Sequence, residues 1–352
     1  MKIGNREIGA QAPAYIIAEM SANHAGSIEN AKKIIHAAKE AGADCVKIQT
    51  YTADTITIDC DKPYFHIGEG TWNGENLYRL YQKAYTPWEW QAELKKEAES
   101  IGLDFFSTPF DKSSVDFLEE IGVGFYKIAS FEIVDIPLIK YVASKGKPII
   151  MSTGMSTIGE IEDAVNAVRS QGNNQLALLR CASAYPAITD EMNLMTMKNM
   201  AEVFHVPVGL SDHSMGSVGA VAAVALGANI IEKHFCLDRA IENPDSSFSM
   251  NTEEFAQMVR DVRQAEKAIG LVSYGATEQE KSNVTFRRSI FCVKDIKKGE
   301  KLTEENVRVI RPGHGMKPKF YEEILGQVAL QDIERGTPMS WGLIGDSDSQ
   351  KE

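Results

Sequence analysis

Short apolar runs alternate with amphipathic segments of helical length from Ala14 to about residue 270. Most runs are continuously apolar, which is typical of strands that are buried on both faces. The runs predict eight strands: Ala14–Ala18, Cys45–Gln49, Asp104–Ser107, Phe125–Ala129, Pro148–Ser152, Leu176–Cys181, Pro207–Leu210 and Asn229–His234. Apolar residues at helical spacing lie between them, for example in Ile28–Ala41, Ser113–Ile121, Ile158–Arg169 and Gly216–Leu226. Eight strands that alternate with helices favour a parallel (β/α)₈ TIM barrel, with a doubly wound open sheet as the alternative.

Two segments break this alternation. Residues 51–86 separate the second and third strands and are rich in Gly, Asp, Trp and Tyr, and connections of this length are usually functional or disordered. Beyond residue 270 the pattern predicts a linker over 271–286, a small β-rich domain over 287–346 and a flexible tail over 347–352. We therefore expect a catalytic barrel over residues 1–270 and a separate C-terminal domain.

Composition excludes several classes of protein. The formal net charge of -12 argues against nucleic-acid binding, although a few local lysines can still bind an anionic substrate. The five cysteines are scattered and odd in number, so we expect no disulfide framework and favour a reducing cytoplasm. The N-terminal segment lacks the pattern of a signal peptide, and no apolar run is long enough to span a membrane.

Polar and charged side chains stand at the carboxyl ends of all the predicted strands, where (β/α)₈ barrels place their active sites. Such groups are costly to bury unless they are paired or used. Ion pairs within the barrel would explain one or two of them, but not a set at every strand end. The candidates are Glu19, Asn23, His24, Lys47, Gln49, Ser107, Thr108, Lys127, Ser130, Ser152, Thr153, Ser183, Tyr185, Ser211, Asp212, His213, Glu232, Lys233 and His234.

Two groups of candidates indicate a particular chemistry. His213 and His234 end adjacent strands, where two imidazoles could bind a divalent ion, and an ordinary hydrogen-bonding pair is an equal alternative. Lys47 and Lys127 suit a phosphorylated carboxylate, because ammonium groups donate to its oxygens. The hydroxyl groups of Ser152 and Ser211 would donate further hydrogen bonds to the oxygens of such a ligand. The structural alternative for the lysines is a salt bridge with Glu19 or Glu232.

Nine short motifs spread over essentially the whole chain match the pattern of the sialic acid synthase family. They are AEMSANHAGS (18–27), ADCVKIQTYTADT (43–55), FSTPFD (106–111), YKIASFEI (126–133), STGM (152–155), CASAYP (181–186), GLSDHS (209–214), IEKHF (231–235) and RPGHG (311–315). The resemblance implies an enzyme that condenses phosphoenolpyruvate with an acylated amino sugar to a nonulosonic acid. It also implies that the C-terminal segment is an antifreeze-like (SAF) domain.

The same resemblance implies roles for individual residues. His213 and His234 would bind Mn²⁺, with Mg²⁺ or Co²⁺ as alternatives. The residues that would hold phosphoenolpyruvate are Lys47, Thr108, Lys127, Ser130, Ser152, Ser183 and Ser211. Those that would face the sugar or manage protons are Glu19, Gln49, Tyr185, Glu232 and Asp245. Arg311 would reach the sugar site of the partner subunit in a homodimer with exchanged C-terminal domains.

Within the family, the motifs AEMSANH, TWNGENLYRLYQKAYTPWEW (71–90) and FSTPFD look most like the pseudaminic acid synthase branch. The implied sugar is 2,4-diacetamido-2,4,6-trideoxy-L-altrose, which would suit the apolar and aromatic residues around Tyr64–Trp90. The neuraminic branch has Asn where this chain has Ser183. An N-acetylneuraminic or legionaminic acid synthase, using a mannose-configured amino sugar, is the alternative.

Two other functions fit parts of the pattern. An aldolase for free pyruvate would form a Schiff base with Lys127 or Lys233. A carbohydrate-binding or ice-binding protein would rely on the C-terminal domain and would leave the polar strand ends of the barrel without a use.

Overall fold

The structure is a computed structural model that describes residues 1–4, 6–9 and 12–345. It divides the chain into two compact units after Gly270. The tail predicted over 347–352 lies outside the described residues, as does residue 346 at the end of the predicted C-terminal domain.

The first unit is a closed barrel of eight parallel strands, which confirms the predicted fold class. The strands are β1 (Tyr15–Glu19), β2 (Cys45–Thr50), β3 (Asp104–Pro109), β4 (Tyr126–Ile128), β5 (Ile149–Ser152), β6 (Leu176–Cys181), β7 (Val208–Asp212) and β8 (Ile230–His234). The barrel closes between β8 and β1, with His234 opposite Glu19. Each strand overlaps its predicted range.

A helix follows each strand and covers the outside of the barrel. The helices are α1 (Ile28–Glu40), α2 (Trp88–Ser100), α3 (Lys112–Glu120), α4 (Ile136–Ala143), α5 (Ile158–Ser170), α6 (Met195–Phe204), α7 (Val218–Ala225) and α8 (Thr252–Ile269). Capping boxes fix the starts of several of them, because a side chain satisfies backbone N–H groups that have no partner within the helix. Asp111 caps α3 in this way, Thr157 caps α5 and Asn251 caps α8.

Side chains that alternate along the strands build an apolar layer inside the barrel. Its larger members include Tyr15, Phe106, Phe125 and Ile150. Gly209 has no room for a side chain, since a Cβ there would lie 2.2 Å from the carbonyl oxygen of Ile230. Beyond this layer, toward the carboxyl ends of the strands, the inward-facing positions are polar.

Two features of the first unit were not predicted. A hairpin of two-residue strands, Lys2–Ile3 and Arg6–Glu7, precedes the barrel, and Ile3 packs into the interior apolar cluster. The long connection after β2 contains two short helices, Ala53–Ile56 and Leu77–Ala84. Both features consist of segments too short for sequence periodicity to reveal.

The first helix of the second unit is a 3₁₀ helix, Lys281–Phe286, which lies inside the segment predicted as a linker. Strands Ser289–Cys292 and Val307–Ile310 pair antiparallel, and Val328–Ala329 pairs with Ile344–Gly345. These short strands surround their own apolar cluster. None of the helices in the described ranges is both long and apolar enough to cross a bilayer.

Candidate active site

Strand alternation places the predicted polar side chains in the barrel interior. On β8, Ile230 packs in the interior apolar cluster, so Glu232 and His234 face the same side of the strand. The same spacing on the other strands produces a polar layer above the apolar one. Its members are all buried and comprise Glu19, Lys47, Thr108, Lys127, Ser152, Ser211 and Glu232.

Glu232 is the centre of an ion-pair network in this layer. Both of its carboxylate oxygens accept hydrogen bonds of 2.6 Å from Lys127 Nζ. Its Oε1 also accepts from Lys47 Nζ at 2.8 Å and from Ser211 Oγ at 3.2 Å. Lys47 Nζ forms a second ion pair, at 3.2 Å, with Glu19 Oε2. The salt bridges considered as the structural alternative for the two lysines are thus present, and they hold two ammonium groups at one place in the barrel.

The network shifts the pKa values of its members in different directions. Burial lowers the pKa of Lys127 to about 8, although Glu232 favours the charged form. Burial also disfavours the charge on Lys47, but Glu19 and Glu232 outweigh it and raise the pKa of that lysine. The pKa of Glu19 is raised, chiefly by burial and against the pull of Lys47. Lys127 is therefore the lysine that releases a proton more easily, and Glu19 is the carboxyl that more easily keeps one.

Two buried hydroxyl groups of the polar layer have no hydrogen-bond partner among the described residues. They are Thr108 Oγ1 and Ser152 Oγ. Leaving a buried hydroxyl unpaired costs free energy, and such groups call for a specific explanation. A ligand that accepts hydrogen bonds would pair both groups, as the anion-binding role predicted for these residues requires.

Gly154, after β5, brings two further predicted residues together. Its backbone N–H donates to Ser130 Oγ at 3.1 Å. A Cβ at this position would lie 2.0 Å from Ser183 Oγ and 2.8 Å from Ser130 Oγ, so a larger residue cannot be accommodated without movement of both serines. Ser183 Oγ also lies 3.5 Å from Cys181 Sγ. Glycine is needed here because the two hydroxyl groups approach the backbone so closely.

His213 and His234 lie side by side at the ends of β7 and β8, with ring centroids 5.3 Å apart. His213 Nδ1 faces the carbonyl oxygen of Ala182 at 3.1 Å. Because a carbonyl oxygen only accepts, Nδ1 carries a proton, and the neutral form of this imidazole has its lone pair on Nε2. His234 Nδ1 is buried and makes no hydrogen bond to any residue that the structure describes. Burial, followed by the neighbouring His213, holds the pKa of His234 well below its usual value, so this imidazole is neutral.

These properties fit two ligands of a divalent metal ion. Metal-binding imidazoles are neutral and commonly donate their second N–H to a backbone carbonyl, as His213 does to Ala182. Burial favours the neutral form of His213 as well, but Cys181 opposes it and raises the pKa of this histidine. Within residues 1–4, 6–9 and 12–345, no three His, Cys, Asp or Glu side chains are grouped to hold a metal. Two imidazoles alone would leave coordination positions for substrate and water.

Tyr185 forms an aromatic wall beside the two histidines, together with Trp72 and Phe248. The centroid of the Tyr185 ring is 4.3 Å from that of His213, 5.4 Å from Trp72 and 5.2 Å from Phe248. Phe248 in turn is 5.0 Å from His234. The predicted sugar residue Tyr185 therefore lies directly against His213. Trp72 belongs to the stretch expected near the sugar, whereas Phe248 is a member of the wall that the sequence did not indicate.

Trp72 is the aromatic residue of the long connection that reaches this wall. Its indole N–H donates to the carbonyl oxygen of Pro244 at 2.9 Å, which ties the connection to the loop after β8. Two other aromatic residues of the stretch Tyr64–Trp90 lie outside this wall. Tyr64 is 87% exposed, and Trp90 packs against His24 with centroids 5.7 Å apart.

Gln49 and Asp245 both contact the loop after β1. Gln49 Nε2 donates to Glu19 Oε1 at 3.0 Å and to Ser21 Oγ at 2.9 Å. Asp245 Oδ2 accepts from the backbone N–H of Ala22 at 3.1 Å, and burial raises the pKa of this carboxyl. The two residues therefore join strand β2 and the loop after β8 to the end of β1 and the loop that follows it.

Comparison with known proteins decides the family. Residues 34–274 match the NeuB family, and residues 287–344 match the SAF domain. The chain belongs to the NeuB family. It is 47% identical to a pseudaminic acid synthase of Campylobacter jejuni, over 96% of this chain and 97% of that protein. An N,N'-diacetyllegionaminic acid synthase of Campylobacter jejuni is 39% identical, over 91% and 96% respectively.

A solved structure supports the fold. The crystal structure of N-acetylneuraminic acid (sialic acid) synthetase from Leptospira borgpetersenii, in complex with citrate, matches with a TM-score of 0.72 and 31% identity. The match covers 81% of this chain and 94% of that one. The resemblance drawn from the nine motifs, including the SAF domain, is thereby confirmed.

Arg311 is the one predicted site residue of this NeuB-family chain that lies in the second unit. It follows the strand Val307–Ile310 and is exposed. All the other predicted site residues lie at the strand ends of the barrel or in the loops that follow them.

Two lysines were considered as Schiff-base residues, and the structure separates them. Lys233 alternates with Glu232 and His234, so it points away from the barrel interior, where its ammonium group pairs with Asp212 Oδ2 at 2.7 Å. Of these two lysines, Lys127 faces the interior.

His24, another of the polar candidates at the strand ends, is a structural residue: its Nδ1 accepts from the N–H of Gly26 at 3.1 Å, and burial lowers its pKa to about 4.

Glu132 is a candidate proton-exchanging residue that the sequence pattern did not indicate. It ends a 3₁₀ helix that begins at Ser130, directly after β4. Its Oε2 atom is buried and has no hydrogen-bond partner in the described part of the chain. Burial raises the pKa of Glu132 to about 7, so the carboxyl can exchange a proton near neutral pH. The available signal was an acidic residue enclosed by apolar neighbours in the motif YKIASFEI.

Proposed function

We propose that this NeuB-family chain is a pseudaminic acid synthase. C3 of phosphoenolpyruvate bonds to the aldehyde carbon of 2,4-diacetamido-2,4,6-trideoxy-L-altrose, water adds to C2, and the C2–O bond to phosphate breaks. The observation that carries the proposal is the identity of 47% to a pseudaminic acid synthase, against 39% to a legionaminic acid synthase. Synthesis of N-acetylneuraminic or legionaminic acid from a mannose-configured sugar is the alternative. The cytoplasmic location expected from the cysteines belongs to this proposal.

Phosphoenolpyruvate binds, in this proposal, at the ammonium groups of Lys47 and Lys127. Charge-assisted hydrogen bonds from these lysines match its carboxylate and phosphate oxygens. The unpaired hydroxyl groups of Thr108 and Ser152, within the described residues, supply neutral donors to the same anion. Ser130 and Ser183 offer additional hydroxyl donors. Ser211, whose hydroxyl donates to Glu232 Oε1 in this structure, would turn toward the anion.

We assign His213 and His234 as the protein ligands of a divalent ion, with Mn²⁺ as the first candidate and Mg²⁺ or Co²⁺ as alternatives. When bound, such an ion supplies a Lewis acid for the aldehyde oxygen of the open-chain sugar. His213→Ala and His234→Ala should each abolish turnover, and chelation should do so reversibly. Full activity in excess chelator would contradict the assignment.

The side chains proposed to face the sugar or to manage protons are Glu19, Gln49, Tyr185, Glu232 and Asp245. Glu19 is suited to exchange a proton, because burial raises the pKa of this carboxyl against the opposing effect of Lys47, which pairs with Oε2. Glu232 is suited to stay charged: burial alone would raise its pKa, but Lys127 and Lys47 lower it far below its usual range. In that form it keeps both ammonium groups oriented toward the substrate.

The identity of the sugar substrate is tested by measuring the rate of phosphate release with different amino sugars as acceptors. We expect 2,4-diacetamido-2,4,6-trideoxy-L-altrose to be used efficiently and N-acetylmannosamine poorly, because a pocket shaped for the deoxy, diacetamido sugar leaves the extra hydroxyl badly placed. A further acceptor, the mannose-configured isomer of the deoxy, diacetamido sugar, separates the pseudaminic branch from the alternative that uses a mannose-configured sugar. Comparable kcat/KM for N-acetylmannosamine would move the chain to the neuraminic branch.

We further propose a homodimer in which the C-terminal domain of one subunit covers the sugar site of the other. Support comes from exposed apolar side chains on four consecutive loops at the carboxyl ends of β4 to β7. They are Phe131, Met155, Ile188 and Met215. An exposed apolar rim around a substrate site suits contact with another protein surface. Arg311, exposed on the C-terminal domain, is the residue that would enter the site of the partner.

Complementation tests the exchange of domains. Arg311→Ala and His213→Ala should each be inactive alone. Co-expressed, they form mixed dimers in which one barrel keeps its histidine and receives an intact Arg311, so about a quarter of all sites should work. If Arg311 served its own barrel, every mixed dimer would be as inactive as its parents, and activity at background level would refute the exchange.

A further inference from the structure

Lys233 and Asp212 form a fully buried ion pair outside the substrate-facing layer. They are 1% and 2% exposed, and the distance from Lys233 Nζ to Asp212 Oδ2 is 2.7 Å. The residues lie opposite one another in the pairing of β7 with β8. Each precedes a candidate metal ligand in sequence, His234 and His213 respectively. Because side chains alternate along a strand, the ion pair faces the helices while the imidazoles face the barrel interior.

The ion pair holds the backbone directly after His213. Asp212 Oδ1 accepts from the N–H of Ser214 at 2.8 Å and from its hydroxyl at 2.6 Å. Lys233 Nζ donates to the carbonyl oxygen of Ser214 at 2.6 Å. The N–H, the hydroxyl and the carbonyl of one residue are therefore all fixed by the same two side chains.

Stability alone is a weak reason for such a pair. A buried ion pair loses hydration that its attraction repays only in part, and well-packed apolar residues of similar volume are often at least as stabilising. What apolar residues cannot do is bind the polar groups of Ser214. Gly219 of helix α7 leaves space beside the carboxylate: a Cβ there would lie 2.5 Å from Met192 Cε and 3.1 Å from Asp212 Oδ2.

We infer that Asp212 and Lys233 are positioning residues that set the placement of His213 beside His234, and so the affinity of the site for a divalent ion. The inference rests on the proposed metal role of the two histidines. His213 is held from three sides: its ring by the carbonyl of Ala182 at 3.1 Å, its own carbonyl by the N–H of Ala187 at 3.0 Å, and the next residue by the ion pair. Partners that orient metal ligands typically contribute 10- to 100-fold to affinity.

The test is the dissociation constant for Mn²⁺, measured by electron paramagnetic resonance of the free ion without substrates. The neutral variant Asp212→Asn/Lys233→Met leaves no buried charge unpaired and should fold, with Mn²⁺ bound roughly 10- to 100-fold more weakly. The matched control is Glu119→Gln/Lys147→Met, which neutralises a partly buried pair that joins α3 to the segment before β5. The control should bind Mn²⁺ as the wild type does.

Ser214→Ala provides a milder variant in case the double variant does not fold. It deletes one hydrogen bond and leaves the ion pair intact, so we expect roughly two- to tenfold weaker binding. Unchanged affinity in these variants, or an equal loss in the control, overturns the positioning role while the metal assignment stands. If the wild type binds no Mn²⁺, the metal assignment fails, and the positioning role fails with it.

Discussion

Replacement of Glu132 by Gln should stabilise the protein at pH 8 and have a much smaller stabilising effect at pH 5. Glutamine keeps the shape of the protonated carboxyl and cannot ionise. Burial raises the pKa of Glu132 from 4.5 to about 7, so the folded chain holds a proton that the unfolded chain releases at lower pH. Stability therefore falls as pH rises through this interval, and the full cost of the charge is reached above the folded pKa.

The size of the stabilisation follows from the difference between the pKa values of Glu132 in the unfolded and the folded chain. A pKa displaced from 4.5 to about 7 corresponds to about 3 kcal/mol at most. Glu132 is only partly buried by exposed area, and solvent screening reduces the figure to about 1–2 kcal/mol. For a domain of this size, such a gain raises Tm by about 2–6 °C.

Thermal unfolding of wild type and Glu132→Gln at pH 5 and pH 8 measures the difference directly. Glu160→Gln is a suitable control, because hydrogen bonds from Thr157 lower the pKa of Glu160, and its replacement should not stabilise at pH 8. A variant of Glu132 that is equally stable relative to wild type at both pH values would refute the claim that this carboxyl is buried without compensation.

Other predictions concern the substrate site. Gly154→Ala should raise KM for phosphoenolpyruvate more than about tenfold, because the new Cβ would lie 2.0 Å from Ser183 Oγ. Gly159→Ala is the control, since no atom lies within 4 Å of its new Cβ, and it should leave this KM unchanged. Equal KM values for the two variants would contradict the prediction. Lys127→Ala should weaken phosphoenolpyruvate binding by about 2–5 kcal/mol, measured by calorimetry, and normal binding would make the lysine structural. Trp72→Ala should raise KM for the sugar but not for phosphoenolpyruvate; parallel changes in both constants would argue against a sugar-side role.

Much of the site was predictable because barrel strands alternate strictly. Continuous apolar runs indicated the eight strands, and Lys47, Lys127 and Glu232 stood out as charges within them. The barrel then brings these charges together, since the carboxyl ends of parallel strands meet at one end. The same alternation also shows that Lys233 is not a residue of the site. Its neighbours Glu232 and His234 face the interior, so Lys233 between them must face outward.

Other features depend on contacts that the sequence does not display. The long connection offers several aromatic residues, and only tertiary packing brings Trp72, rather than Tyr64 or Trp90, to the wall beside Tyr185. His24 has the same chemistry as the candidate metal ligands, but Gly26 in its own loop and Thr86 in the long connection occupy its two ring nitrogens. The N-terminal hairpin was missed because two-residue strands carry no period.

Identification of the product tests the central claim most directly. The purified protein would be supplied with Mn²⁺, phosphoenolpyruvate labelled with ¹³C at C3, and 2,4-diacetamido-2,4,6-trideoxy-L-altrose. We expect mass spectrometry and NMR to show pseudaminic acid with the label at the carbon bonded to the former aldehyde carbon, and one phosphate released per product. Release of phosphate without a new carbon–carbon bond, or a labelled product only from a mannose-configured sugar, would contradict the proposed function.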